Sequence, residues 1–143
     1  MKSKIIASLL CVISVIAYSQ NKEITINISG LKSDKGKCIL YLYNNEKGFP
    51  TEADKALNTS KSKIVNSKST IVLKVIADGE YAISVIHDEN DNGILDKNFM
   101  GMPKEGVGVS NNAKGFFGPP EYDDSKFRLN KKSLTTNITM KYL

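Results

Sequence analysis

The chain has 143 residues, a formal net charge of +5 and two cysteines. That length suits one domain with one core. Its basic residues are scattered, as at Lys47, Lys55, Lys61, Lys97 and Lys114, with no basic run interleaved with aromatics, so nucleic acid is not an expected partner.

Residues 1–19 read as a secretory signal. Lys2 and Lys4 form a basic start, Ile5 to Ala17 an apolar run, and Ala17-Tyr18-Ser19 a small-x-small cleavage site before Gln20. The run falls short of the roughly 20 residues of a membrane span, so no stable span is expected after cleavage. Cys11 lies mid-run behind Leu10, which is not the small residue that lipoprotein processing requires. The reading is an exported protein, periplasmic or extracellular at the cell surface, with residues 20–143 as a single domain and a monomer. Cys38 is then the only cysteine left, so no intramolecular disulfide forms. It sits in an apolar segment, where a buried, inert thiol is the expectation.

Ile24, Ile26 and Ile28 alternate with polar residues and predict a half-buried strand. Residues 37–43 are apolar on both faces, which predicts a central strand or one between packed layers. Thr51 is placed to cap a helix of one or two turns over Glu52 to Leu57. Ile64-Val65 reads as a further short strand. Ile71, Leu73 and Val75 alternate again. Tyr81 to His87 is the next strand, entered through Asp78-Gly79. That entry matches either a sandwich corner, in which a tyrosine hydroxyl ties back to the backbone, or a simple hairpin.

Residues 97–126 lose periodicity and are rich in glycine and proline, yet they carry Phe99, Met100, Met102, Phe116, Phe117 and Tyr122. That is too much apolar area for disorder. The expectation is an ordered loop packed over one end of the sheet, with Phe116, Phe117 and Tyr122 in the core. Phe127 to Leu129 and Thr135 to Tyr142 close the fold. The fold class is all-β: a single antiparallel β-sandwich, immunoglobulin-like or transthyretin-like, with one short helix and one long ordered Gly/Pro-rich loop.

Asp88-Glu89-Asn90-Asp91-Asn92-Gly93-Ile94-Leu95-Asp96 groups side-chain oxygens at alternate positions. With Asp88 at position 1, Asn90 and Asn92 stand at 3 and 5, Gly93 at 6, Ile94 at the backbone-carbonyl position 7 and Asp96 at 9, as in the calcium loop of the EF-hand. Position 12 is Phe99 where a bidentate glutamate is needed, and a strand leads in where a helix is needed. The candidate metal ligands are therefore Asp88, Asn90, Asn92, Ile94 and Asp96, for a calcium ion with a dissociation constant of about 10⁻⁴ to 10⁻³ M. Glu89 and Asp91 would point the other way. Glu105, Glu121, Asp123 or Asp124 would complete the shell from a neighbouring segment. The same residues also suit an acidic turn that holds no ion, since Asp and Asn bond their own backbone. His87 reads as a satisfied histidine at a strand end in preference to a transition-metal ligand.

The segments Gly79-Glu80-Tyr81-Ala82, His87-Asp88-Glu89-Asn90, Asn92-Gly93, Asp96, Gly101-Met102-Pro103-Lys104-Glu105-Gly106, Ser110-Asn111-Asn112-Ala113 and Gly118-Pro119-Pro120 together resemble the exported bacterial family of unknown function 2141. The resemblance spans about residues 24–142. It implies an exported β-sandwich with no established activity. It also implies that the acidic loop and the Gly/Pro-rich region form one feature, with the Glu-Gly and Ser-Asn-Asn segments near that loop.

The function read from these residues is a non-catalytic, calcium-stabilised module that binds an envelope protein or a glycan through residues 99–122. Two other readings stay open at this point. One is a hydrolase using Asp88, Glu89, Asp91 and Asp96 with His87 as proton carrier. The other is a structural subunit of an envelope complex. A nucleophile elbow, a phosphate loop and a zinc motif are all missing from the sequence.

Overall fold

A computed structural model describes residues 21–75 and 77–143. The expected export signal lies outside the described residues. Among the described residues, eight strands follow in chain order: β1 (Lys22–Ser29), β2 (Lys37–Tyr43), β3 (Asn58–Ser62), β4 (Ser69–Val75), β5 (Gly79–Asp88), β6 (Gly106–Val109), β7 (Phe127–Leu129) and β8 (Ser133–Thr139). They form two sheets. One has the order β4-β1-β8. The other has the order β3-β2-β5-β6, with β7 pairing the start of β5. The pairing is antiparallel except for β1 beside β8, which is parallel.

Period-2 alternation explains the inner layer. Ile24, Ile26 and Ile28 of β1 lie in register with Leu73, Ile71 and Ser69 of β4, and the apolar members bury against Leu40, Leu42, Ile83 and Val85 of the facing sheet. Each such aliphatic side chain contributes about 1.5–3 kcal/mol on leaving water. β2 is apolar on both faces for a second reason. Its outward residues Ile39, Tyr41 and Tyr43, with Ile86, form a smaller cluster covered by Phe49, Ala56, Leu95, Val107 and Tyr122. The segments after β2, after β5 and before β7 therefore act as a third layer over the larger sheet.

β4 and β5 belong to different sheets, so the turn between them crosses the sandwich and is not a hairpin. The Tyr81 hydroxyl donates to the Ala77 carbonyl at 2.8 Å and fastens that corner. Three expectations need correction. Thr51 caps no α-helix: the segment makes one 3₁₀ turn, Ala53–Lys55, led by Glu52 without a side-chain cap. Ile64-Val65 is no strand of its own; Val65 only bridges Lys68 across a tight turn. Within residues 97–126, β6 and a four-residue helix, α1 (Tyr122–Ser125), are regular structure.

Candidate functional site

β5 delivers two titratable side chains to opposite faces. His87 continues the inward row of Tyr81, Ile83 and Val85, whereas Asp88 emerges on the outward side at the strand end. Both are fully buried. Asp88 Oδ1 accepts the Asn92 N–H at 3.1 Å, and its Oδ2 accepts the Gly93 N–H at 2.8 Å. Asn90 Oδ1 accepts the Asn92 N–H at 3.2 Å, and Asn92 Oδ1 accepts the Ile94 N–H at 3.0 Å. These local bonds are the turn chemistry of Asx residues. Gly93 has φ +83°, a left-handed backbone that glycine adopts without steric cost.

Four of the five candidate ligands converge through side chains. The Asp96 carboxylate receives the Asn90 side-chain amide at 2.6 Å and the Asn92 amide at 3.1 Å. Asp88 joins them through the Asn92 backbone. Ile94 is tied in by its N–H, and its side chain points to solvent. Glu89 and Asp91 turn away, as their register predicts. Glu89 pairs with Lys32 at 2.9 Å, and Asp91 pairs with Lys37. The Lys37 ammonium also stands 3.6 Å from Asp88 Oδ2, so part of the loop's negative charge is already neutralised. Its bond to Asp91 raises the Lys37 pKa above the ordinary lysine value. Among the described residues, no three histidine, cysteine or acidic side chains converge to hold a metal. A cation at this loop would need asparagine oxygens and the Ile94 carbonyl beside the carboxylates of Asp88 and Asp96.

Glu105 closes the loop. It is buried at the start of the next strand; one oxygen accepts the Glu89 N–H at 3.0 Å and the other the Asp96 N–H at 3.1 Å. The Lys104 N–H adds a bond to the Asp96 carbonyl at 2.9 Å. One carboxylate thus ties both ends of the acidic loop to the segment that follows. Of the shell candidates named from sequence, Glu105 alone reaches this loop, and it does so as a brace on backbone amides. Beyond it, Asn98 organises a small turn: its side-chain oxygen accepts the N–H groups of Met100 at 2.9 Å and Met102 at 3.0 Å.

The inward side is chemically quiet. His87 Nε2 lies 2.8 Å from the Lys35 carbonyl, so it carries the proton and donates; Nδ1 then accepts the Tyr142 hydroxyl at 2.7 Å. Tyr142 in turn accepts the Lys32 N–H at 3.0 Å. Cys38 is the cross-strand neighbour of His87, a proximity the sequence did not reveal. Burial pushes its thiol up to about 11, which leaves little thiolate for chemistry near neutral pH.

The Gly/Pro-rich region splits in two. Glu105-Gly106 lies at the acidic loop, as the resemblance implied, but Ser110–Asn112 lies past the far end of β6. There the Ser110 hydroxyl accepts the Ile83 N–H at 2.9 Å, Asn111 donates to the Lys126 carbonyl at 2.8 Å, and Asn112 accepts the Thr139 N–H at 2.8 Å. The aromatics also depart from expectation. Tyr122 is half-buried, with its ring 5.8 Å from that of Phe49. Phe99, Phe116 and Phe117 are 97%, 93% and 107% exposed. Phe99 rides on the turn that Asn98 organises, Phe116 and Phe117 lie on a bend of the Gly/Pro-rich segment, and the core closes without them.

No helix among the described residues is long and apolar enough to cross a membrane. No curated protein and no solved structure matches the chain. Residues 26–137 match the family described as "Uncharacterized protein conserved in bacteria (DUF2141)", and the chain belongs to that family.

Proposed function

We propose that the chain is an exported, non-catalytic module, a sandwich of immunoglobulin-like or transthyretin-like plan, that binds an envelope or extracellular protein or glycan through residues 99–122. One observation carries this reading: Phe99, Phe116 and Phe117 stand almost fully exposed, Phe99 on a turn that Asn98 ties together. Exposed apolar side chains of that size mark contact surfaces when they cluster on ordered loops. The non-catalytic reading is supported by His87 and Cys38, which are buried with their hydrogen-bonding capacity spent or their thiol protonated. A photo-crosslinking residue placed at Phe117 or Phe99 in the native envelope is expected to trap a discrete adduct. The same residue at Asn137, on the polar outer face of the smaller sheet, is expected to trap none. Equal, diffuse labelling at all three positions would contradict the reading.

The 88–96 loop is assigned a weak calcium ion, held by Asp88, Asn90, Asn92, the Ile94 carbonyl and Asp96. Turning the Asn90 and Asn92 amides presents their oxygens beside the Asp96 carboxylate, and Asp88 keeps lone pairs beyond those used by its two amides. The turned amides give up bonds to backbone N–H groups, which keeps the affinity low. Calcium at about 10 mM, some 10–100 times the expected dissociation constant, stabilises a single-site protein by about 1.4–2.7 kcal/mol. The expected rise in melting temperature over chelator is on the order of 5–10 °C. Asp96→Ala is expected to abolish that rise and still fold. An unchanged melting temperature in the parent removes the ion from the account.

A further inference from the structure

A groove of about 430 Å³ opens between the turn after β2 and the segment before α1. That volume lies within the roughly 300–1,000 Å³ of ligand clefts. Phe49, Pro50, Pro119, Pro120 and Tyr122 line it, although most of the surface it exposes is polar. Glu46, Glu121 and Asp123 supply its charge, and no lysine or arginine lines it, in a chain with 20 basic residues. Asp123 is paired with Lys126 at 2.9 Å; Glu46 and Glu121 have no ion-pair partner among the described residues. The groove therefore reverses the sign of the molecule around it.

Both walls are built. The Ser84 hydroxyl donates to the Pro50 carbonyl at 3.0 Å, and the Phe49 ring meets Tyr43 edge-on at 5.3 Å. Opposite, the Tyr122 hydroxyl donates to the Glu80 carbonyl at 3.1 Å, and the Ser125 hydroxyl to the Glu121 carbonyl at 2.8 Å. Such a groove is formed before any ligand arrives, which limits the ordering cost of binding.

We propose that this groove seats a cationic peptide segment of the partner, and the proposal rests on the binding-module reading above. Lysine and arginine lay their alkyl stems along apolar surface and keep the charged head free. Here the stems would cover the aromatic and proline walls, while the heads reach Glu46 and Glu121 or lie over an aromatic face. Phe116 and Phe117 stand exposed just before Pro119 on the same loop, so apolar contact continues past the groove. A chain bearing both cationic and apolar side chains matches both parts. A neutral sugar leaves the carboxylates unmatched.

The test uses the purified chain and a fluorescent peptide of about ten residues that alternates lysine with alanine and includes one phenylalanine, with a glutamate counterpart. Saturable binding of the lysine peptide is expected, weaker with added salt and absent for the glutamate peptide. Glu46→Gln and Glu121→Gln are each expected to weaken it about threefold, and the double variant about tenfold, with melting temperature unchanged. Phe117→Ala is expected to weaken it as well. Lysine-peptide binding that ignores the double variant, or that a neutral oligosaccharide displaces, overturns the assignment. Crosslinks at Phe117 that persist undiminished in the double variant also overturn it and leave the binding module standing; no crosslinks in the parent removes the module itself.

Discussion

Glu105→Ala is expected to lower the unfolding free energy by about 3 kcal/mol, a loss of roughly 10 °C in melting temperature. Glu105 is buried, and its two oxygens accept the amides of Glu89 and Asp96. Hydrogen bonds to a charged group contribute about 1.5–3 kcal/mol each, and removing the acceptor strands the donors. Alanine removes both bonds at once. Glutamine keeps one oxygen and turns an amine toward the other N–H, so Glu105→Gln is expected to cost less, about 2 kcal/mol. Urea unfolding measures both. A loss under about 0.5 kcal/mol for alanine, the range of an ordinary surface change, would show that the brace is not needed.

Gly36→Ala is expected to cost more than 3 kcal/mol, on the order of the most damaging single substitutions. A Cβ at Gly36 would lie 1.8 Å from the Asp88 carbonyl oxygen and 2.8 Å from the Glu89 Cα, and the backbone there has φ +67°. The left-handed conformation alone costs an alanine about 1–2 kcal/mol. The remainder comes from main-chain atoms that cannot swing aside. Moving them disturbs the Lys37–Asp88 register and the Lys35 carbonyl that accepts His87. Gly93→Ala supplies the control. Its φ is +83°, but nothing lies within 4 Å of its Cβ, so it is expected to lose only about 1–2 kcal/mol. Equal losses at the two glycines would mean that close approach at Gly36 contributes nothing.

Much of this arrangement was legible from residue order. The alternation of Ile24, Ile26 and Ile28, and of Ile71, Leu73 and Val75, predicts the inward rows of β1 and β4, which carry the inner core. β2, apolar on both faces, does lie between two clusters. Other elements left no periodic trace. β3 is an edge strand of Asn58–Ser62 with almost nothing to bury. β6 carries glycines because its neighbours fill the space a side chain would take: a Cβ at Gly106 would meet the Tyr142 ring at 2.6 Å, and one at Gly108 would meet Ile138 at 2.7 Å.

The candidate site divides in the same way. Asp88, Asn90, Asn92 and Asp96 were legible because turn chemistry is local in sequence. Glu105 and Lys37 reach the loop only through strand pairing, so their roles required the fold. Phe116 and Phe117 misled because apolarity predicts burial on average and says nothing of whether the core has room. Their exposure is a property of the finished packing.

Residues 88–105 form one clamp, closed by Asp88 and Glu105 and held in shape by their own hydrogen bonds. Amide hydrogen exchange in the presence of chelator is the test. The N–H groups of Glu89, Asn92, Gly93 and Asp96 are expected to exchange slowly as a set, and Glu105→Ala is expected to release Glu89 and Asp96 first. Exchange of all four in the parent at the rate of a solvated loop would contradict it.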